Sequence, residues 1–359
     1  MHSRGVLMGV LLPRTLALLP IFSSVKAGFL PQAAGFQTIR PLPELRGGGT
    51  RNFGVSSVAM ASAPTAVSCS WLASNLDKVK VLDASWYMAT QERSPGVKLD
   101  AAAEFAARRI PGALFFDFDG TIKDAASDLP HMMPSPEHFS QCVGKLGISN
   151  SHHVIVYDGL GVWSSPRGWY MFKAMGHHQV SILDGGFPAW EKLGLPIETE
   201  PKTVDTVAEK AAEYVAAPLP KSNLLDLPAV EANIKSRQYQ LVDARPGPRF
   251  LGEAPEPRPI ESGHIQGSLS VPWSAVVKDG FLKTPDEIRE VMEKASVDLT
   301  KPVAITCGSG VSACIVGAAL ELVGVPAEKT PLFDGAYTEW KLAGKPSIKG
   351  RVDAPASKL

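Results

Sequence analysis

The chain has 359 residues, 36 Lys+Arg against 36 Asp+Glu and 45% hydrophobic residues. That length exceeds one ordinary core and fits two domains once a tail is set aside. A formal charge of zero leaves no electrostatic footprint for nucleic acid and no acidic tail, so the expected partners are small molecules or proteins. The four cysteines, Cys69, Cys142, Cys307 and Cys314, form no C-x-x-C and no Cys/His cluster, which points to reduced thiols without a structural zinc.

Residues 1–60 carry Arg4, Arg14, Lys26, Arg40, Arg46 and Arg51 against a single acid, Glu44. This is the bias of an organelle presequence, and the segment is expected to lie outside the folded domains. The apolar run 5–22 is broken by Pro13, Arg14 and Pro20, too short a stretch for a membrane-spanning helix. A mitochondrial address is the reading preferred here. Three others compete: a two-step plastid address with a signal ending near Val25-Lys26-Ala27, a cytoplasmic form starting at Met60, and a peroxisomal address in the terminal Ser357-Lys358-Leu359.

From residue 65 onward, short β-rich runs alternate with helical patterns, which predicts parallel sheets covered by helices. Buried strands are expected at 79–83, 113–117, 154–158 and 180–184, each ending in an aspartate. In such sheets ligands bind beyond the carboxyl ends of the strands. Residues 201–222 mix Pro, Lys, Ala and Thr without a period and read as a linker.

The second half repeats the first. "VIVYDGLGVWSS" (154–165) aligns with "VAITCGSGVSAC" (303–314) at an offset of 149, "LDGGFPAW" (183–190) with "FDGAYTEW" (333–340), "VLDASW" (81–86) with "LVDARP" (241–246), and "RRIPGALF" (108–115) with "GHIQGSLS" (263–270). Four matches in one order indicate a duplicated domain: 65–200, then the linker 201–222, then 223–350, with 351–359 as a tail.

The strand 303–306 leads into Cys307, and apolar spacing predicts a helix over 310–323. A thiol there faces backbone amides and the positive end of a helix, an arrangement that stabilises a thiolate. Ordinarily a lone cysteine is core. Here the first repeat has Asp158 at the matching place, so the architecture does not need sulfur and Cys307 reads as a specialisation.

These residues resemble the two-domain rhodanese-like sulfurtransferases, and within them the branch that acts on 3-mercaptopyruvate. The motifs carrying the likeness are "LDASWYM" (82–88), "RRIPGALFFDFD" (108–119), "LPHMMP" (129–134), "LDGGFPAW" (183–190), "RFLGEAPEPR" (249–258), "SGHIQGS" (262–268) and "CGSGVSA" (307–313). The resemblance implies an α/β fold of two tandem rhodanese-like domains, the first catalytically silent. It also implies a catalytic set of Cys307, Ser309, His131 and Asp119, in which Asp119 orients His131 and His131 acts on Ser309. Arg249 and Arg258 would hold the donor's carboxylate and keto oxygen, with Gly308, Gly310, Val311 and Ser312 completing the binding turn. A thiosulfate-preferring member carries basic residues right after its cysteine, whereas this turn, Gly308 to Ser312, is uncharged, which favours 3-mercaptopyruvate over thiosulfate.

The implied chemistry is a Cys307 persulfide discharged to a thiol such as reduced thioredoxin, or to cyanide. It needs no metal or organic cofactor, and a monomer free of membrane and nucleic acid is expected. Three alternatives stand beside it: a thiosulfate:cyanide sulfurtransferase, a persulfide relay without a donor site, and a cysteine phosphatase. The last needs an arginine six places after the cysteine, where this chain has Ala313. Two departures from the family pattern occur. Ser312 stands in place of Thr, and Ala336-Tyr337 in place of Ser-Trp, which puts polar contacts to the active turn in question. Cys314, seven residues or about two helical turns beyond Cys307, is expected on the same side of the helix but deeper, and reads as core. The pairs His152-His153 and His177-His178 read as structural.

Overall fold

The computed structural model of the chain describes residues 62–208, 210–220 and 223–350. The presequence, Met60 and the terminal tripeptide lie outside the described residues. The first repeat forms a parallel sheet of β1 (Ala66–Val67), β2 (Val79–Asp83), β5 (Leu114–Phe115), β6 (His153–Tyr157) and β7 (Val180–Leu183), in the order β1-β7-β6-β2-β5. A two-stranded ribbon, β3 (Glu92–Ser94) and β4 (Val97–Lys98), stands beside it. The second repeat has β8 (Leu224–Leu225), β9 (Gln240–Asp243), β10 (Leu269–Ser270), β13 (Val303–Thr306) and β14 (Leu332–Phe333), in the order β10-β9-β13-β14-β8. Read from the other edge, that order is the first sheet's. Its ribbon is β11 (Val277–Lys278) with β12 (Phe281–Leu282).

Helices α1 (Cys69–Ala73), α2 (Ala101–Ala107), α3 (Pro136–Lys145), α4 (Ser165–Ala174) and α5 (Gly186–Lys192) cover the first sheet. Helices α6 (Leu227–Ser236), α7 (Gly247–Leu251), α8 (Pro285–Lys294), α9 (Ser312–Leu322) and α10 (Ala336–Leu342) cover the second. The central strands are continuous apolar runs because both faces are buried. Val154, Ile155 and Val156, and likewise Val303, Ala304 and Ile305, are wholly inaccessible.

The two repeats meet along α4 and α9, and one hydrophobic cluster runs from Phe116 through Trp169 and Tyr170 to Ile315 and Ala319. Small residues in α9, Ala313, Gly317 and Ala318 among them, admit the neighbouring helix at close range. Each repeat also lends a segment to the other. The stretch between β5 and α3 reaches across so that Met133 N–H donates to Asp334 Oδ2 at 2.6 Å. In return the β11–β12 ribbon brings Leu282 N–H to Asp184 Oδ1 at 2.9 Å. Asp184 and Asp334 are matching positions of the repeat, so the exchange is reciprocal.

The linker has no helix or strand among its described residues, yet it is fastened to the first repeat. Ala212 N–H donates to Gly144 O at 2.9 Å and Ala217 N–H to Met175 O at 2.9 Å, and Tyr214 is buried against Phe139 and Phe172. Asp158 and Asp184 fall one residue beyond β6 and β7 rather than within them, and two other elements differ more from the sequence expectation. The 113–117 strand is only Leu114–Phe115, and the helix expected from 310 begins at Ser312 because Gly310 has a left-handed φ of 81°.

Candidate active site

Cys307 follows β13 directly, and residues 308–311 curl as a loop before α9 starts. Four residues therefore separate the thiol from the helix, and the expectation that Cys314 lies two helical turns beyond Cys307 on the same side of one helix does not hold. Cys314 is nevertheless core: it is fully buried, burial pushes its thiol up to about 12, and its Sγ donates to Gly310 O at 3.3 Å. Burial likewise pushes the Cys69 thiol up to about 11 and raises Cys142.

The first repeat shows what this turn binds. Asp158 Oδ2 accepts from the backbone N–H groups of Trp163, Ser164 and Ser165 at 2.9, 3.0 and 2.9 Å and from Ser165 Oγ at 2.7 Å, while Oδ1 accepts from Leu160 N–H at 2.9 Å. A carboxylate thus fills a nest of amides. The corresponding position in the second repeat holds the sulfur of Cys307.

Contacts from α10 fix the active turn. Cys307 O accepts from Tyr337 N–H at 3.0 Å, and Gly308 O accepts from Thr338 N–H at 3.2 Å and Thr338 Oγ1 at 2.6 Å. The Ala336-Tyr337 departure does not strip the turn of polar contacts, because they come from backbone amides and Thr338. Ala336 adopts a left-handed φ of 55° where the first repeat has Gly186 at 54°.

A cavity of about 210 Å³ opens over Cys307 and is lined by Gly308, Ser309, Val311, Ser312, Arg249 and Arg258 of the second repeat and Trp86 and Trp163 of the first. Gly310 lies behind this wall with its carbonyl turned to Arg167 at 3.3 Å. A larger cavity of about 690 Å³ sits over the first repeat beside Cys69, Pro188 and Phe281 and does not reach Cys307.

Arg249 is held by Glu256: its Nε donates to Oε2 at 3.0 Å, and its Nη2 donates to the same oxygen. That Nη2 lies 3.0 Å from where a Cβ on Gly308 would stand, so the absence of a side chain lets the guanidinium reach the turn. Glu256 Oε1 also accepts from Arg245 at 2.7 Å, and Arg245 is further paired with Asp243 and lies 3.7 Å from the centre of the Tyr337 ring. Burial, with Arg249 beside it, pulls Arg258 below its ordinary pKa, against an opposing pull from Cys307. A guanidinium remains charged under any such shift.

Asp119 and His131 come together beyond Trp86 and are not among the residues that line the cavity. His131 Nδ1 lies 2.7 Å from Asp119 Oδ1, off the line of a well-formed hydrogen bond, and Nε2 is buried without a hydrogen-bond partner. Trp86 ties the pair to the cavity: its Nε1 donates to Asp119 Oδ2 at 2.8 Å and its ring packs edge-on to His131 at 4.6 Å. Burial holds His131 below the ordinary imidazole range despite Asp119. Burial alone would raise Asp119, but His131, Trp86 and Lys123 outweigh it and leave the carboxyl low. The structure does not join His131 to Ser309, since Nε2 has no partner.

The four histidines assigned to structure do pack that way. His152 Nδ1 accepts from Ser149 N–H, His153 Nε2 meets Ser181 Oγ, His177 Nε2 meets two carbonyls, and His178 pairs with Glu328.

Sequence reasoning missed Arg167, Arg245, Glu256 and Asp334. Glu256 sits inside the quoted 249–258 stretch, and Asp243-x-Arg245 at a strand end was the available sign of a fixed ion pair.

Set against known proteins, the rhodanese-like domain profile matches residues 68–193 and again 226–343. The chain belongs to the rhodanese-like sulfurtransferases. It is 42% identical over 290 residues to the 3-mercaptopyruvate sulfurtransferase of Rattus norvegicus, covering 78% of this chain and 93% of that one. It is equally 42% identical over 285 residues to the thiosulfate sulfurtransferase of Bos taurus, covering 76% and 91%. Among solved structures it resembles SseA of Escherichia coli, a 3-mercaptopyruvate sulfotransferase, with TM-score 0.65, 35% identity and coverage of 76% and 99%. It also resembles Tum1 of Saccharomyces cerevisiae, with TM-score 0.71, 28% identity and coverage of 80% and 99%.

Proposed function

We propose that this sulfurtransferase takes its sulfur from 3-mercaptopyruvate and carries it as a Cys307 persulfide. The observation that supports this reading is a thiol in an uncharged turn faced across a 210 Å³ cavity by two guanidinium groups, Arg249 and Arg258. A bidentate guanidinium suits a carboxylate, and a pure relay has no need of one. The Cys307 thiolate attacks the donor's sulfur, the C–S bond breaks, and its electron pair passes to carbon as the enolate of pyruvate, which takes up a proton. Asp119, His131 and Ser309 are assigned the handling of the donor's thiol proton. An acceptor thiolate, such as that of thioredoxin, or cyanide then attacks the outer sulfur and restores the Cys307 thiolate. Gly308, Gly310, Val311 and Ser312 supply the backbone nest for both anions.

Thiosulfate is the competing donor, and relatives of both kinds are equally similar at 42%. The absence of charge between Gly308 and Ser312 is what favours mercaptopyruvate. The deciding assay compares pyruvate release from 3-mercaptopyruvate with thiocyanate formation from thiosulfate and cyanide. Mercaptopyruvate is expected to be turned over with the higher kcat/KM, and Cys307→Ser is expected to lose about a thousandfold or more with either donor. Full activity in Cys307→Ser ends the persulfide assignment, while a preference for thiosulfate ends the substrate assignment alone.

A further inference from the structure

We infer that Arg167, a residue of the repeat that lacks the cysteine, is a positioning residue for the site proposed above. It sets the register between the active turn and the segment that carries His131. Arg167 lies in the first turn of α4 and is fully buried. Its Nη1 donates to Asp334 Oδ1 at 2.7 Å and to Gly310 O at 3.3 Å, and its Nη2 donates to His131 O. Asp334 closes the loop by accepting Met133 N–H on its other oxygen at 2.6 Å. One guanidinium fork therefore touches the backbone of the active turn, the backbone of the His131 residue, and the carboxylate that anchors the residue two places beyond it.

Three observations separate this from ordinary interface packing. First, the matching position in the second repeat is Val316, buried and apolar, so the helix does not need a cation there. Second, the reciprocal carboxylate Asp184 takes Leu282 N–H, with no guanidinium bonded to it among the described residues. The cation occurs only on the side that faces Cys307. Third, Gly310 has a φ of 81°, and a Cβ on it would meet Asp334 O at 3.0 Å, Asp334 Oδ1 at 3.2 Å and Arg167 Nη1 at 3.3 Å. The turn is shaped to let this pair approach its carbonyl. A buried ion pair is weak support for stability in itself, since apolar residues of similar volume often do as well. What the fork adds is geometry, because it fixes two carbonyls from separate repeats at once. His131 itself holds a left-handed φ of 61°, a conformation that non-glycine residues keep only where surroundings impose it.

This inference rests on the proposed persulfide chemistry, so its test has two readouts on the full chain. Arg167→Lys keeps a cation against Asp334 but cannot span both carbonyls, and Arg167→Met removes the cation. The readouts are kcat and KM for pyruvate release from 3-mercaptopyruvate, normalised to folded protein by circular dichroism, and the rate of Cys307 alkylation by iodoacetamide without donor. Arg167→Lys is expected to lose about tenfold in kcat with KM held within about twofold, as for a sub-ångström misplacement of reacting groups. Its Cys307 alkylation rate should shift by about threefold or more as the turn relaxes. Wild-type kcat and alkylation in Arg167→Lys overturn the inference, as does a loss that only tracks the folded fraction. If Arg167→Met fails to fold, the lysine variant still decides. If the wild type turns over neither mercaptopyruvate nor thiosulfate, the proposed reaction falls, and the alkylation comparison alone then judges Arg167.

Discussion

His177 is sealed beneath the linker, its ring 5.3 Å from that of Phe172 and 5.6 Å from that of Tyr214. Its Nε2 donates to the carbonyls of His152 and Gln179, both at 3.1 Å. Burial pulls its pKa from 6.5 to about 4, the two carbonyls only partly opposing. A histidine kept neutral in the fold takes its proton first in the unfolded chain, so stability falls as pH drops through 6.5 and the loss is complete near 4. The full cost is about 3 kcal/mol. Asp83 runs the other way: burial raises it to about 6, so its contribution is present below 3.8 and disappears as pH rises through about 6. The difference between proteins therefore isolates the imidazole. Between pH 7 and about pH 4.5, urea unfolding of His177→Gln should lose less stability than the wild type, by about 2 kcal/mol. Parallel pH profiles for the two proteins would show that His177 is not held neutral.

The turn that follows β6 in the first repeat and β13 in the second is the element on which the functional reading rests. In the first repeat it grips Asp158 with four backbone N–H groups and one hydroxyl. Asp158→Asn places an amide where a carboxylate accepted all of them, and is expected to cost about 2–4 kcal/mol in chemical unfolding while the sheet persists. An unchanged midpoint would mean that the nest does not select for an anion. The strands and the Cys307–Asp158 pairing were legible because the chain is written twice and one copy serves as control for the other. The start of α9 was misplaced because apolar spacing does not register that Gly310 turns left-handed. The β11–β12 ribbon was missed although Asp279-Gly280 at its tip, with φ of 53° and 85°, is a familiar hairpin signal. Arg167 was not legible at all: its partners Gly310 and Asp334 lie 143 and 167 residues away, and nothing local distinguishes it from a helix-surface arginine.

At the scale of the molecule, α4 and α9 bind the two repeats through a mixed interface. Lys173, almost wholly buried, reaches Glu321 at 2.9 Å, and the same carboxylate takes Thr65 Oγ1 at 3.3 Å and Ala327 N–H at 3.0 Å. Lys173→Met leaves the partly buried Glu321 without its nearest cation and is expected to cost about 3 kcal/mol, measured by guanidinium unfolding. A neutral result would reduce the pair to packing. The reciprocal segments, Met133 onto Asp334 and Leu282 onto Asp184, have a consequence for ancestry. Equal arms exchanged between equal partners are the arrangement of a two-fold dimer, here closed into one polypeptide. Under the proposed assignments, a lone descendant of the second copy would inherit Cys307, Arg249 and Arg258 and be orphaned of Asp119, His131 and Arg167, so the fused pair is the unit that would pass all six on together.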